Sequence, residues 1–313
     1  MKEGLSLKKQ NYFLGLLLCL VSTIFWGTMF PVMVPALKLI DPFYFTLLRY
    51  GSVAILFAII LFFVEGKKAF HTEGNGLKLW LLGTSAFAGF SFLVFYGQQI
   101  AGNSGSIIAS VMMAIQPLLG VLVARVWRKV KPTKVAIFSM GIAVIGVLLM
   151  VTNGNLSVLT SGENLILATV LILLGALCWV IYSAVGADFN HWSILRFSAL
   201  STLLGMVSVV ILIILATLLG WLKVPTLHTL GAISPELAYM VIPAGIIAVF
   251  TWNYGNRLAG PINAILFMNV VPVTAFIISG LTGYKIGIWE VIGAIVVIAA
   301  LIMNNLYNRF LQK

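Results

Sequence analysis

Two arginines sit where an ionisable group is costly. Arg49 lies in "LLRY" and Arg196 in "ILRF", each inside or at the edge of a long apolar run. A guanidinium there could attract or gate an anionic group such as a carboxylate. The plainer alternative is that both snorkel to headgroups or bond to helix ends. A second group is uncharged. Gln98, Gln99 and Asn103 follow one apolar run, Gln116 precedes Pro117, and Asn253 sits between Trp252 and Tyr254. Asn263 and Asn269 occur in the next run, and Trp26, Trp179 and Tyr182 stand deep in others. Amides give donors and acceptors without fixed charge, and rings give an apolar wall. Trp26, Gln98, Gln116, Trp179, Tyr182, Trp252, Asn253 and Asn269 are therefore candidate substrate-binding residues. Arg49 and Arg196 are candidate gating or anion-attracting residues. Each has a bland alternative as interfacial anchor or interhelical glue.

Several chemistries lack their residues. The acids are Glu3, Asp41, Glu65, Glu73, Glu163, Asp188, Glu236 and Glu290, all at or near the ends of apolar runs. A proton-coupled carrier usually buries a carboxylate whose pKa can rise toward neutrality. Glu290 is the one faint candidate, and the positive end of the last helix is its simpler role. His71, His191 and His228 show no metal-ligand spacing, and no nucleophile–base set or GxxxxGK[ST] loop occurs. No catalytic residue, metal site or cofactor is expected. Cys19 and Cys178 lie inside apolar runs and read as small apolar fillers.

The elements that must hold these residues are membrane helices. Of 313 residues, 61% are apolar and 9% are charged, against about 25% charged in a soluble domain. The formal charge of +11 does not mark a nucleic-acid binder, because the basic residues fill short gaps between apolar runs. Ten runs approach the ~20 residues a bilayer core requires. They are Tyr12–Val34, Phe43–Val64, Leu79–Gly97, Gly105–Ala124, Val135–Val151, Leu165–Val185, Ile194–Leu219, Leu237–Tyr254, Ile262–Leu281 and Ile288–Tyr307. None alternates as a membrane barrel strand would. The apolar start continues through Phe30 and reads as a retained first span, not a cleaved leader. With the N-terminus inside, fifteen of the nineteen Lys and Arg fall on the cytoplasmic side and four outside. Both termini are then cytoplasmic.

The chain also repeats itself. "FYGQQIAG" at Phe95–Gly102 returns as "NYGNRLAG" at Asn253–Gly260. Trp26 is echoed by Trp179, "LLRY" by "ILRF", Pro117 by Pro272, and "MGIAVIGVLL" by "IGAIVVIAAL". Each repeat holds five spans, residues 1–155 and 156–313. Five is odd, so the second repeat must be inverted relative to the first. Gly102, Ser106, Ser110 and Ala114 make a small-residue seam, and Pro31, Pro117 and Pro272 can kink their helices.

Ten spans in two five-helix halves, with these ordered echoes, resemble the EamA branch of the drug/metabolite transporter superfamily over about residues 12–307. The resemblance implies an all-α integral membrane carrier of the bacterial inner membrane. Spans one, three, four, six, eight and nine would line a central cavity. It implies export of a small organic solute, an amino acid or related metabolite, by alternating access. A carrier of lipid or lipid-linked substrate, or of drugs, is the alternative. Many members have Glu after the fourth and ninth spans, whereas "RVWRKVKP" and "GLTGYKIG" have none. The expected partners are a small-molecule substrate and the bilayer, with no nucleic acid; oligomeric state is open.

Overall fold

The structure is a computed structural model. It describes residues 2–129, 131, 133–152, 154–155, 164–259 and 265–311, with the backbone alone at 2–10, 114, 151, 187, 265–266, 301, 305 and 308–311. Among the described residues every regular element is helical. In chain order the helices are α1 (Lys2–Ala36), α2 (Pro42–Glu65), α3 (Gly76–Ile100), α4 (Gly105–Ala114), α5 (Gln116–Trp127) and α6 (Lys134–Thr152). They continue as α7 (Leu165–Gly186), α8 (Ile194–Leu218), α9 (Leu227–Ala232), α10 (Ser234–Ala259), α11 (Val270–Leu281) and α12 (Ile288–Leu311).

Among the described residues six helices are long and apolar enough to cross a bilayer: Asn11–Ala36 within α1, then α2, α3, α7, α8 and α10. The helical pair Gly102–Met113 and Gln116–Trp127, which takes in α4 and α5, is one apolar run bent by 50°. Pro117 in the first turn of α5 explains the break, since it supplies no N–H to the preceding turn. Three shorter apolar helices, Lys134–Met150, Phe267–Leu281 and Ile288–Asn304, occupy the remaining expected runs. The ninth run was expected from Ile262; Gly260, Asn263 and their neighbours lie outside the described residues.

The chain forms two compact units, residues 1–31, 106–163 and 247–313, and residues 32–105 and 164–246. Each unit takes helices from both sequence repeats. In the first, α6 packs on α12. A Cβ on Gly146 would lie 2.8 Å from Gly293 O and 3.0 Å from Val297 N, while Met150 lies beside Gly293. Residue numbers rise along one helix as they fall along the other, so the pair is antiparallel. In the second unit α2 packs on α8, with Tyr44 Oη 2.8 Å from Thr217 Oγ1 and Gly51 beside Met206, again antiparallel. These are the fifth and tenth, and the second and seventh, of the expected runs.

The repeat reaches finer detail. α3 and α10 are each widened by a six-residue π-helical turn, Thr84–Gly89 and Ile242–Ile247. The two turns start 158 residues apart, the same offset as the two Tyr-Gly motifs. Gly102 closes the first motif with φ +59°, a conformation that favours glycine. Helix starts fix a further register. Asp41 accepts hydrogen bonds from the N–H groups of Phe43 and Tyr44 to cap α2, and Ser193 accepts from Arg196 N–H to cap α8. Burial raises the Asp41 carboxyl above its ordinary value, against the opposing pull of those N–H groups. The caps place Tyr44, not Arg49, opposite Arg196 in the repeat. The "LLRY"–"ILRF" echo is therefore out of register: Arg49 sits two turns into α2 and Arg196 in the first turn of α8.

Glu290 lies at the start of α12. It is 6% exposed and accepts from Gly287 N–H and Tyr284 Oη, both at 2.7 Å. This is the backward half of a capping box at the start of α12.

Candidate functional site

The candidate residues divide between the units. The first unit holds Trp26, Gln116, Trp252, Asn253 and Asn269; the second holds Arg49, Gln98, Trp179, Tyr182 and Arg196.

In the first unit α1 and α10 run antiparallel and touch closely. A Cβ on Gly15 would lie 2.7 Å from Ala259 N, and one on Gly255 2.7 Å from Gly15 O. That approach sets Ser22 Oγ 2.7 Å from Thr251 Oγ1 and brings the Trp26 and Trp252 rings to 5.3 Å at 54°. The structure thus joins these two candidates, and half-buried Asn253 follows Trp252 on the same helix. Gln116 is 8% exposed and donates from Nε2 to Met113 Sδ at 3.2 Å, a weak acceptor. Asn269 precedes α11, and its buried Oδ1 has no hydrogen-bond partner among the described residues. Gln116 and Asn269 each stand at the entry to a helix carrying a proline near its start, Pro117 and Pro272. In the small-residue seam, Ser106 Oγ lies 3.4 Å from Ser279 Oγ on α11.

In the second unit a run of rings links the two arginines. The Arg49 guanidinium lies 4.5 Å over Tyr50, and Tyr50 meets Phe87 at 4.8 Å. Phe87, inside the π-turn of α3, meets Tyr182 at 5.8 Å, and Tyr182 stacks on Phe197 at 5.3 Å. Phe197 meets Phe189 at 5.3 Å, Phe189 meets Trp192 at 5.2 Å, and Arg196 lies 4.0 Å over Trp192. Trp179 joins from the side, 5.4 Å from Tyr182 and 5.6 Å from Phe90. Tyr182 Oη is 3.0 Å from Ser201 Oγ. Gln98 is 2% exposed, three residues beyond Phe95 on α3. Sequence reasoning missed Phe87, Phe189, Trp192 and Phe197. The one available signal was that an aromatic residue directly follows each arginine, as Tyr50 and Phe197.

The arginines differ in their surroundings. Arg196 donates to Glu73 Oε1 at 2.6 Å and to His71 O at 2.7 Å. Trp192 Nε1 donates to the other Glu73 oxygen at 2.9 Å. Nearby, Lys78 of α3 pairs with Asp188 at 2.9 Å and Ser193 donates to Glu65 at the end of α2 at 2.5 Å, so the 187–193 connection is also tied to both of those helices. The Trp192 N–H first, and Arg196 second, hold the Glu73 carboxyl below its ordinary 4.5. A depressed carboxylate pKa contributes stability above the ordinary value, lost as pH falls through the folded one. The tie is therefore expected to stay closed from pH 7 to about 4.5 and to open below. Tryptophan emission of wild type minus that of Glu73→Gln, titrated downward, checks this. The effect on stability is small, because Glu73 is half-exposed.

Arg49 has no such partner among the described residues. It is 2% exposed, so it does not snorkel outward. Its Nε donates to Met240 O at 3.2 Å, in the turn of α10 before the π-turn. Phe95 is its second ring, at 5.5 Å.

The arrangement brings aromatic rings together with few polar groups. A family model described as the EamA-like transporter family matches residues 13–152 and again 166–306. The chain is 39% identical over 303 residues to the uncharacterized transporter YrdR of Bacillus subtilis (strain 168), covering 97% of this chain and 94% of that one. It is 30% identical over 255 residues to the uncharacterized transporter YyaM of the same organism, covering 80% of each. A solved crystal structure superimposes with a TM-score of 0.64 at 16% identity, over 96% of this chain and 98% of that chain, a likeness of fold alone. The chain belongs to the EamA-like transporter family.

Proposed function

We propose that this membrane transporter is a secondary carrier with ten spans in two inverted repeats, exporting a small organic solute such as an amino acid or related metabolite. Both termini lie on the cytoplasmic side of a bacterial inner membrane. The observation that carries the reading is the antiparallel pairing of equivalent helices, α2 with α8 and α6 with α12. Equivalent helices run oppositely when a unit is inserted upside down relative to its copy. Such a pair of inverted repeats has two asymmetric arrangements of similar energy, one open to each side. The matched π-turns in α3 and α10 support this, because wide turns recur at functional sites and let a helix change shape. Trp26, Trp252 and Asn253 offer rings and an amide to a solute within one unit, and Trp179, Tyr182 and Gln98 do so within the other; Gln116 and Asn269 stand at the entries to α5 and α11.

The test is exchange of labelled solutes into vesicles holding the pure protein, without ATP. Counterflow of an amino acid or related metabolite is the expected result. Movement of labelled lipid with no solute exchange would replace the reading with lipid transfer.

A further inference from the structure

Resting on that carrier reading, we infer that the transported solute carries an anionic group, a carboxylate or similar oxoanion, and that Arg49 holds it. The two arginines are separated by their neutralisation. Arg196 has the Glu73 carboxylate at 2.6 Å. No ion pair to Arg49 exists among the described residues. A guanidinium has five N–H donors, and among the described residues Arg49 makes one hydrogen bond, to Met240 O. Its Nη1 is buried with no hydrogen-bond partner. Its guanidinium also lies over the Tyr50 and Phe95 rings, which favour a cation but do not neutralise it.

Arg49 also lies seven residues past the start of α2, about 10 Å along the helix axis at 1.5 Å per residue. That is deep for a charge within an apolar span. Buried charges are ordinarily paired. An unpaired guanidinium, fixed by one backbone carbonyl and two rings, is a preformed half of an ion pair. The other half arrives with the solute, in the carrier state that exposes Nη1, and its apolar body meets the rings. Glu236 is the competing partner. It stands one turn before Met240 on α10, makes no ion pair with Arg49, and leaves its Oε2 without a hydrogen bond.

The experiment measures thermal stabilisation of the purified full chain by formate, acetate, benzoate and phenylacetate, each against its neutral amide. Wild type is expected to be stabilised by at least one carboxylate and by none of the amides. Arg49→Gln should lose that shift, Arg49→Lys should keep it with about tenfold weaker binding, and Glu236→Gln should leave it unchanged. Equal shifts from acid and amide, a full response in Arg49→Gln, or no response to any carboxylate overturns the inference. If Arg49→Gln does not fold, an Arg49→Lys response identical to wild type does the same. Vesicle exchange separates the two claims. Exchange of neutral solutes without carboxylate binding leaves the carrier and removes the anion; carboxylate binding without any exchange does the reverse.

Discussion

Gly83→Leu is expected to leave no folded protein. Gly83 ends the first part of α3, and Gly205 faces it from the middle of α8. A Cβ on Gly83 would lie 2.8 Å from the Gly205 backbone and closer still to Ser201 O. The obstacle is backbone on both sides, so no side-chain rotation relieves it. Helices approach this closely in membranes only where small residues face each other. Overpacking of an ordinary core costs about 1–3 kcal/mol; here the two helices must separate, and the effect exceeds that range. Separation would also break the 2.6 Å contact between Thr84 Oγ1 and Ser208 Oγ. Size-exclusion profiles of detergent extracts report the outcome. Gly141→Leu on α6 is the control. Nothing lies within 4 Å of its Cβ position, and leucine is the better helix former. It should behave as wild type.

Tyr182→Ala should show the largest loss among the candidate binding residues. Tyr182 is 7% exposed and touches the Phe87, Trp179 and Phe197 rings. Removing a buried aromatic side chain costs about 3–5 kcal/mol. Tyr182→Phe keeps the ring and loses only the contact with Ser201 Oγ. Hydrogen bonds between membrane helices average ~0.6 kcal/mol, so the phenylalanine variant should stay close to wild type. Reversible unfolding in mixed micelles separates the two. A large loss in both would place the stabilisation in the hydroxyl rather than in the ring stack.

Much of the helical architecture was legible because the signal is a sum over many residues. A run such as Phe43–Val64 is apolar apart from Thr46, Arg49, Gly51 and Ser52, and α2 follows it to within one residue at each end. Proline marked the bend at α5 for the same kind of local reason. The π-turns were not legible, since a wide turn depends on the helix packed beside it. The duplicated Tyr-Gly motif nevertheless carried their offset. The "LLRY"–"ILRF" echo misled because apolar segments resemble one another by chance, whereas the caps at Asp41 and Ser193 fix where α2 and α8 begin. Arg196 could not reveal its partner in sequence, because Glu73 lies 123 residues away. The surroundings of Arg49 were equally hidden: that no ion pair reaches it among the described residues is visible only from side chains distant in sequence.

Side-specific labelling of the two Tyr-Gly motifs tests the inverted arrangement most directly. Asn103 follows the first copy and Arg257 lies in the second, and both are exposed. In a chain lacking Cys19 and Cys178, Asn103→Cys should react with a membrane-impermeant maleimide on intact cells. Arg257→Cys should react only after the membrane is opened. Reaction of both cysteines from the same face would mean that the repeats are not inverted.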